Sequence, residues 1–206
     1  VYVAFNRYKF DDFRPYILKS VDYGMTWNVQ GSEIEENSFV RVVREDPNRK
    51  GLLYAGTERG MYMSPDAGTS WHKWQRNLPI VPITDLAVHG NDIVLATQGR
   101  SFWILDDLTP LHEYSAEMAS KNIHMFDVED SYKVLRSAMR RQGPLGKNPY
   151  YGTEVKFFLR DYDEEDSTEL MVEFMGEGMN VLKTFSSKEE SPEKGIKLDD
   201  GFHTLR

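Results

Sequence analysis

The stretch SVDYGMTW at residues 20–27 decides the fold, because it returns as SPDAGTSW at residues 64–71. The two copies share the pattern S-x-D-x-G-x-[ST]-W and begin 64 − 20 = 44 residues apart. Mostly apolar, β-favouring residues precede each copy, so each copy is predicted to join two strands of a hairpin. Repetition at a period of roughly 40–50 residues is typical of the four-stranded blades of a β-propeller.

Each position of the pattern has a physical use in a tight turn. An aspartate side chain accepts hydrogen bonds from backbone N–H groups a few residues further on. Glycine adopts positive φ without a Cβ clash, and a tryptophan ring packs beneath a sheet. We therefore predict that both aspartates stabilise turns, rather than acting in catalysis or metal binding. The predicted structural residues are Ser20, Asp22, Gly24, Trp27, Ser64, Asp66, Gly68 and Trp71.

A degenerate third copy extends the repeat. Residues 54–63 (YAGTERGMYM) align with residues 94–103 (VLATQGRSFW), but no glycine or tryptophan follows Asp106 at the positions of the turn motif. Terminal repeats are often atypical in this way. The sequence therefore predicts an all-β chain that carries the C-terminal blades of a propeller.

The predicted domain organisation has three parts. Residues 1–121 form about three propeller blades, residues 122–149 connect, and residues 150–206 begin a β-sandwich that is truncated. Within the connecting segment, residues 122–126 are predicted to form a strand that returns to the propeller edge. Because Val1 already lies inside a strand pattern, we interpret the chain as a fragment whose partners include the missing N-terminal blades.

Composition excludes several classes of function. The net charge is 25 − 33 = −8, whereas nucleic-acid binding needs a basic surface. No apolar run approaches the length of a membrane span, and the chain has no cysteine. The histidines are scattered without metal-ligand spacing, and neither a glycine-rich phosphate loop nor a serine nucleophile elbow is present. We predict no metal and no cofactor.

The candidate ligand-binding residues come from topology. In a four-stranded meander, the loop between the second and third strands lies at the end opposite the Asp turn. Residues 6–15 are predicted to form the longest such loop, and ligand sites commonly lie on loops held by a rigid scaffold. The alternatives are a solvated polar rim, or an acid and base pair of Asp11 or Asp12 with Glu58 for glycoside cleavage. The candidate residues are Asp11, Asp12, Arg14, Glu58, Arg59 and Arg100. Four of them, Asp12, Arg14, Glu58 and Arg100, are expected to line one shared depression opposite the Asp turns.

The Asp-turn motifs, with residues 53–60 and 88–100, resemble bacterial Asp-box (BNR) repeat proteins of the sortilin (Vps10)-like propeller group. Residues 103–111 look like the end of that group's propeller, and residues 148–152 resemble the entry to its C-terminal β-sandwich. The resemblance implies an extracellular or periplasmic protein that binds glycans or is related to glycosyl hydrolases. The alternative is a non-catalytic, sortilin-like propeller that binds peptides or proteins. No catalytic set is assigned, so enzymatic activity stays open.

Overall fold

A computed structural model gives the fold. It describes residues 1–131, 152–162, 169–191 and 194–206. The chain divides into two units, Val1–His112 and Glu113–Arg206, whereas the sequence predicts a boundary at residue 121. Most of the predicted connecting segment, residues 122–149, lies outside the described residues. The described residues form small antiparallel sheets with two short helices, so the predicted all-β class is confirmed.

The first unit contains three sheets, each a meander of consecutive strands. Sheet I consists of β1 (Tyr2–Arg7), β2 (Asp12–Lys19) and β3 (Asn28–Gln30); sheet II of β4 (Val40–Glu45), β5 (Leu53–Thr57), β6 (Gly60–Ser64) and β7 (His72–Lys73); and sheet III of β8 (Ile83–His89), β9 (Asp92–Thr97) and β10 (Phe102–Leu105). The only helical element before residue 106 is a single 3₁₀ turn at Tyr8–Phe10. The expectation of short, turn-punctuated strands is met throughout this unit.

The meander gives the three sheets two different ends. In sheet II the β4–β5 turn and the Asp turn after β6 lie at one end, where the Ala67 N–H donates to the Gly51 carbonyl at 2.7 Å. The neighbouring sheets present the same end, because Lys19 Nζ donates to the Ala67 carbonyl at 2.7 Å and Asn48 Nδ2 to the Gly90 carbonyl at 2.8 Å. We call this the turn end. The opposite end, with residues 58–59, is the loop end.

The predicted loop of residues 6–15 is wrong in its extent. Strand β1 continues to Arg7 and β2 already begins at Asp12, so only residues 8–11 connect them. Arg7 and Asp12 are cross-strand partners, and their side chains form an ion pair at 3.7 Å. Oppositely charged side chains that face each other across two strands stabilise the pairing, so the hairpin extends as far as these residues. The predicted loop is too long because charged residues also indicate a loop.

Two apolar cores separate the three sheets. Ile17, Val43 and Tyr62 contribute to the core between sheets I and II, and Tyr54 and Ile83 to the core between sheets II and III. Fully burying side chains of this size stabilises a fold by about 1.5–3 kcal/mol each. Sheet II is therefore covered on both faces.

The outer faces of sheets I and III expose apolar side chains. Phe5 on sheet I is 45% exposed, and Phe102 and Ile104 on sheet III are 74% and 59% exposed. Along each strand these residues alternate with the residues of the cores, as the period of two requires. The described residues of the first unit thus leave two sheet faces uncovered.

The second unit contains smaller sheets. Its strands are β11 (Ile123–Met125), β12 (Val155–Leu159), β13 (Met171–Met175), β14 (Val181–Ser186) and β15 (Gly201–Leu205). Helix α1 (Thr109–Glu113) ends the first unit, and helix α2 (Ala116–Ala119) belongs to the second. Strands β11, β12 and β15 form one sheet, and β13 pairs with β14. The predicted strand at residues 122–126 exists, but it pairs with β12 of this unit rather than with a sheet of the first unit.

Candidate functional site

The first Asp turn is closed by its own side chains. Asp22 Oδ1 accepts hydrogen bonds from the Ser20 hydroxyl at 2.9 Å and the Thr26 N–H at 2.8 Å, while Oδ2 accepts from the Thr26 hydroxyl at 2.5 Å. The bonds from Thr26 and Ser20 lower the pKa of Asp22 to about 2. Gly24 has a φ of +90°, and its N–H donates to the Ser20 hydroxyl at 2.8 Å.

The second Asp turn repeats this geometry. Asp66 accepts from the Ser64 hydroxyl at 2.8 Å, from the Ser70 N–H at 2.9 Å and from the Ser70 hydroxyl at 2.6 Å. Burial by itself raises the pKa of Asp66, but these bonds outweigh it and lower the pKa. Both carboxylates are thus used within their own turns, as the proposed structural role requires.

The tryptophans of the two turns differ. Trp71 is 3% exposed and packs in the core between sheets I and II, as the motif predicts. Trp27 is 42% exposed, and its Nε1–H donates to the Gly24 carbonyl at 3.0 Å. The prediction that each ring packs beneath a sheet is therefore correct for Trp71 and wrong for Trp27, because Trp27 folds back onto its own turn.

A polar depression lies at the loop end of sheet I. Its volume is about 450 Å³, within the range of about 300–1,000 Å³ that small-ligand sites occupy. Side chains from both strands of the β1–β2 hairpin and from the connection between sheets I and II line it. The lining residues are Arg7, Phe10, Asp11, Asp12, Phe13, Arg14, Glu36 and Asn37. Three of the predicted candidates, Asp11, Asp12 and Arg14, therefore meet here.

Asp12 is the most constrained side chain of the depression. Arg14 donates to both of its oxygens at 2.9 Å, and the Tyr16 hydroxyl donates to Oδ2 at 2.8 Å. The hydrogen bonds from Arg14 and Tyr16 hold the pKa of Asp12 far below its usual value, and the same ion pair raises the pKa of Arg14. Asp12 therefore stays ionised and fixes the Arg14 guanidinium at the edge of the depression.

The remaining candidates do not line the depression. Glu58 forms an ion pair with Arg41 at 2.5 Å. Arg59 lies 3.9 Å from Glu35, which also accepts from Lys73 at 2.7 Å. These two candidates are therefore engaged in ion pairs of the solvent-facing rim of sheet II.

Arg100, the last candidate, is exposed at the loop end of sheet III. Its guanidinium donates to the Gly99 carbonyl at 3.4 Å. The expectation that Asp12, Arg14, Glu58 and Arg100 share one depression is not met, because the lining of the polar depression includes only the first two.

The aromatic residues of the hairpin divide into two groups. Tyr8 stacks on Phe39 with 4.9 Å between ring centroids, and Phe13 lies 6.3 Å from the same ring. Both therefore seal the hairpin against sheet II. Phe10 has no ring partner among the described residues, and it is 78% exposed. The Arg7 guanidinium lies 6.0 Å from its centroid, which leaves most of the ring open to solvent.

Sequence reasoning missed three residues of the depression, Arg7, Glu36 and Asn37. The sequence predicts Arg7 in a loop, although it is the last residue of β1. The other two lie on the connection between sheets I and II, which the meander topology already places at the loop end. The topology predicts that this connection lies at the loop end, but it does not predict which of its side chains line a depression.

A buried polar cluster at the turn end was also not predicted. The Asp46 side chain is fully buried and accepts from the Tyr54 hydroxyl at 2.9 Å and from His112 Nε2 at 3.0 Å. The N–H groups of Asn48 and Arg49 donate to its other oxygen at 2.8 and 3.1 Å. Burial raises the pKa of Asp46, but these bonds outweigh it and lower the pKa. This cluster ties α1 to the β4–β5 turn.

No model of a known protein family matches the chain, and no curated protein matches it. Within the described ranges, no helix is long and apolar enough to cross a membrane. Over the same residues, no group of three or more histidine, aspartate or glutamate side chains is arranged to hold a metal ion. The polar depression is therefore the feature of the first unit that bears most directly on function.

Proposed function

We propose that the chain is part of an exported Asp-box propeller protein, and that its first unit binds a glycan in the polar depression. In this proposal the three meander sheets are consecutive blades, and the Asp turns close their outer hairpins. The second unit is then the start of a β-sandwich. The internal repeat and the shared geometry of the two Asp turns support the assignment.

The observation that carries the proposal is the exposure of Phe10 beside carboxylates. Glycan sites combine an aromatic ring, which stacks on the apolar face of a sugar, with polar groups that bind its hydroxyls. Phe10 is 78% exposed, and the carboxylates of Asp11 and Glu36 form no hydrogen bond or ion pair with any described residue. A sugar on the ring therefore finds free acceptors next to it, together with the Asn37 amide.

The same geometry favours binding over cleavage. Glycoside hydrolysis needs one carboxyl group that stays protonated near neutral pH, so its pKa must be raised. The pKa of Asp12 is lowered instead, and Glu58 is held by Arg41 away from the depression. Of the carboxylates considered for cleavage, Asp11, Asp12 and Glu58, the last two are therefore committed to ion pairs with arginines.

A glycan array probed with the intact chain, followed by calorimetry on the best oligosaccharide, tests this function. Phe10→Ala is expected to weaken binding about tenfold or more, which corresponds to about 1.4 kcal/mol for an aromatic anchor. Phe102→Ala is the matched control, because it removes an equally exposed phenylalanine from sheet III. It is expected to leave affinity unchanged.

Three results would contradict the proposal. The array shows no glycan bound, or Phe10→Ala binds as well as the wild type, or a parallel peptide array is positive while the glycan array is not. The last result supports the peptide-binding alternative. Mass spectrometry of the bound oligosaccharide checks for cleavage, and hydrolysis products that disappear in Asp12→Asn would restore the hydrolase interpretation.

A further inference from the structure

In sheets I and II a strand follows the Asp turn and pairs with the strand before it, whereas sheet III has no such last strand among the described residues. In sheet I the last strand, β3, pairs with β2, and in sheet II the last strand, β7, pairs with β6. In sheet III, β10 pairs with β9 on one side, and no other strand of the described residues pairs with it. An open strand edge presents a row of backbone donors and acceptors to another chain.

The register identifies the backbone groups at this edge. The Thr97 N–H donates to the Ser101 carbonyl at 3.2 Å, and Phe102 is the partner of Ala96. Hydrogen-bonded and non-hydrogen-bonded pairs alternate in an antiparallel ladder. Trp103 and Leu105 therefore bond to β9, whereas the N–H and C=O groups of Phe102 and Ile104 point outward.

Sheet II shows how this position is filled. Met61 is the partner of Gly56, which corresponds to Ala96, so Met61 is the counterpart of Phe102. The Met61 carbonyl accepts from the Trp74 N–H at 2.9 Å, just beyond the end of β7. The same backbone position thus receives an antiparallel extended segment in sheet II and is open in sheet III.

A small apolar pocket lies beside the open edge, between sheets II and III. Its volume is about 40 Å³, enough for the end of one apolar side chain but not for a drug-sized ligand. Trp74, Leu78, Trp103 and Leu105 contribute to its walls. Gln75 lines it as well, and its Oε1 is buried without a hydrogen-bond partner in the described part of the chain.

The loop-end side of this edge is basic. Arg76 lines the pocket, and Arg100 precedes β10 by two positions. Both side chains are exposed, and neither forms an ion pair with any described residue. In a chain of net charge −8, two uncompensated arginines beside one strand edge complement an acidic segment.

We propose that the open edge of β10 binds an extended segment of a partner protein by antiparallel strand addition. The segment pairs its backbone with Phe102 and Ile104, and the side chain opposite Trp103 enters the pocket. Because the pairing is antiparallel, the C-terminal side of the segment lies beside Arg100 and Arg76 and carries acidic residues. This site is separate from the polar depression and does not depend on the proposed glycan binding.

The probe is a fluorescein-labelled peptide, TTVTLTEE, measured by fluorescence anisotropy with the full chain. Its leucine is placed opposite Trp103, and its two glutamates lie beside the arginines. A second peptide, N-methylated at the two threonines that flank the leucine, cannot donate the two inter-strand bonds. It is expected to bind about tenfold more weakly or worse.

Two protein variants test the charge and its position. Arg76→Glu is expected to weaken binding about fivefold at low salt. Lys50→Glu changes the net charge equally at the exposed β4–β5 turn, so its affinity is expected to stay within about twofold of the wild type. Both side chains are exposed, and circular dichroism verifies that each variant folds.

Amide exchange by NMR gives an independent readout. The N–H groups of Phe102 and Ile104 are expected to exchange fast in the free chain and to become protected by the peptide. Protection already present in the free chain overturns the proposal: if it is independent of concentration, a segment of the same chain covers the edge, and if it rises with concentration, a second copy does. Equal binding of the N-methylated peptide, equal effects of the two charge reversals, or no peptide binding overturn it too.

Discussion

Replacing Asp46 by alanine is expected to destabilise the first unit strongly. The carboxylate is fully buried and accepts four hydrogen bonds, and the substitution leaves the buried Tyr54 hydroxyl and the nearly buried His112 ring without their acceptor. An unsatisfied buried donor costs about 1–3 kcal/mol, and the substitution leaves two of them, the Tyr54 hydroxyl and the His112 ring. The two turn N–H groups are closer to solvent and add little. We therefore expect a loss of about 2–6 kcal/mol in the free energy of unfolding.

Urea unfolding followed by tryptophan fluorescence measures this loss in the intact chain. All four tryptophans, Trp27, Trp71, Trp74 and Trp103, lie in the first unit, so their signal reports on that unit. Asp85→Ala is the matched control, because Asp85 is 63% exposed and pairs with Arg44 on the surface.

The control is expected to lose no more than about 1 kcal/mol. Tyr54→Phe, which removes one donor and keeps the ring, should lie between the two. An Asp46→Ala transition that coincides with that of the Asp85 control would refute the assignment of Asp46 as the centre of a buried network.

Three further predictions concern single sites. Because the folded-state pKa of Asp46 is lowered, its contribution is present above the unfolded-state pKa of about 3.9 and is lost as pH falls through the folded-state value. The stability difference between wild type and Asp46→Asn should therefore shrink only in that acidic window; urea midpoints that converge near neutral pH would contradict this. Asp66→Ala should cost about 1–3 kcal/mol by the same assay, because the turn donors lose their acceptor, and leave glycan binding intact; lost binding with unchanged stability would make Asp66 a site residue. Gly56→Ala should cost about 1–3 kcal/mol, because its Cβ would lie 2.7 Å from methyl groups of Ile83 and Val42, and an unchanged melting temperature would show that this contact relaxes.

The sequence predicts the sheets well because the repeat carries its own turn chemistry. The S-x-D-x-G pattern sets both the φ of Gly24 and Gly68 and the acceptors for the turn N–H groups, so strand ends follow from local interactions alone. The same pattern does not predict whether the Trp27 ring is buried, because burial depends on which sheet packs against it. Trp71 has such a neighbour in sheet I, and Trp27 bonds to its own turn instead.

The candidate site is predicted only in part, for a related reason. Topology brings Asp12, Glu58 and Arg100 to the same end of the sheets. The carboxylates of Asp12 and Glu58, however, form ion pairs with arginines close to them. Glu58 finds Arg41 across the β4–β5 pair, and Asp12 finds Arg14 two residues along its own strand. Ion pairs formed within a sheet decide which charged side chains stay available, and a sequence does not show them before the register is known.

The two ends of the first unit differ in whether their carboxylates already accept hydrogen bonds from the protein. At the turn end, Asp22, Asp66 and Asp46 accept so many internal hydrogen bonds that binding a ligand would first require breaking the fold's own contacts. At the loop end, the carboxylates of Asp11 and Glu36 accept no such bonds from described residues, and Phe10, which lines the same depression, is exposed. A carboxylate gains by binding a ligand only when its acceptor capacity is not already used. The repeated Asp-turn motif is therefore not available for binding a ligand, and the hairpin formed by β1 and β2 is where ligand recognition is expected.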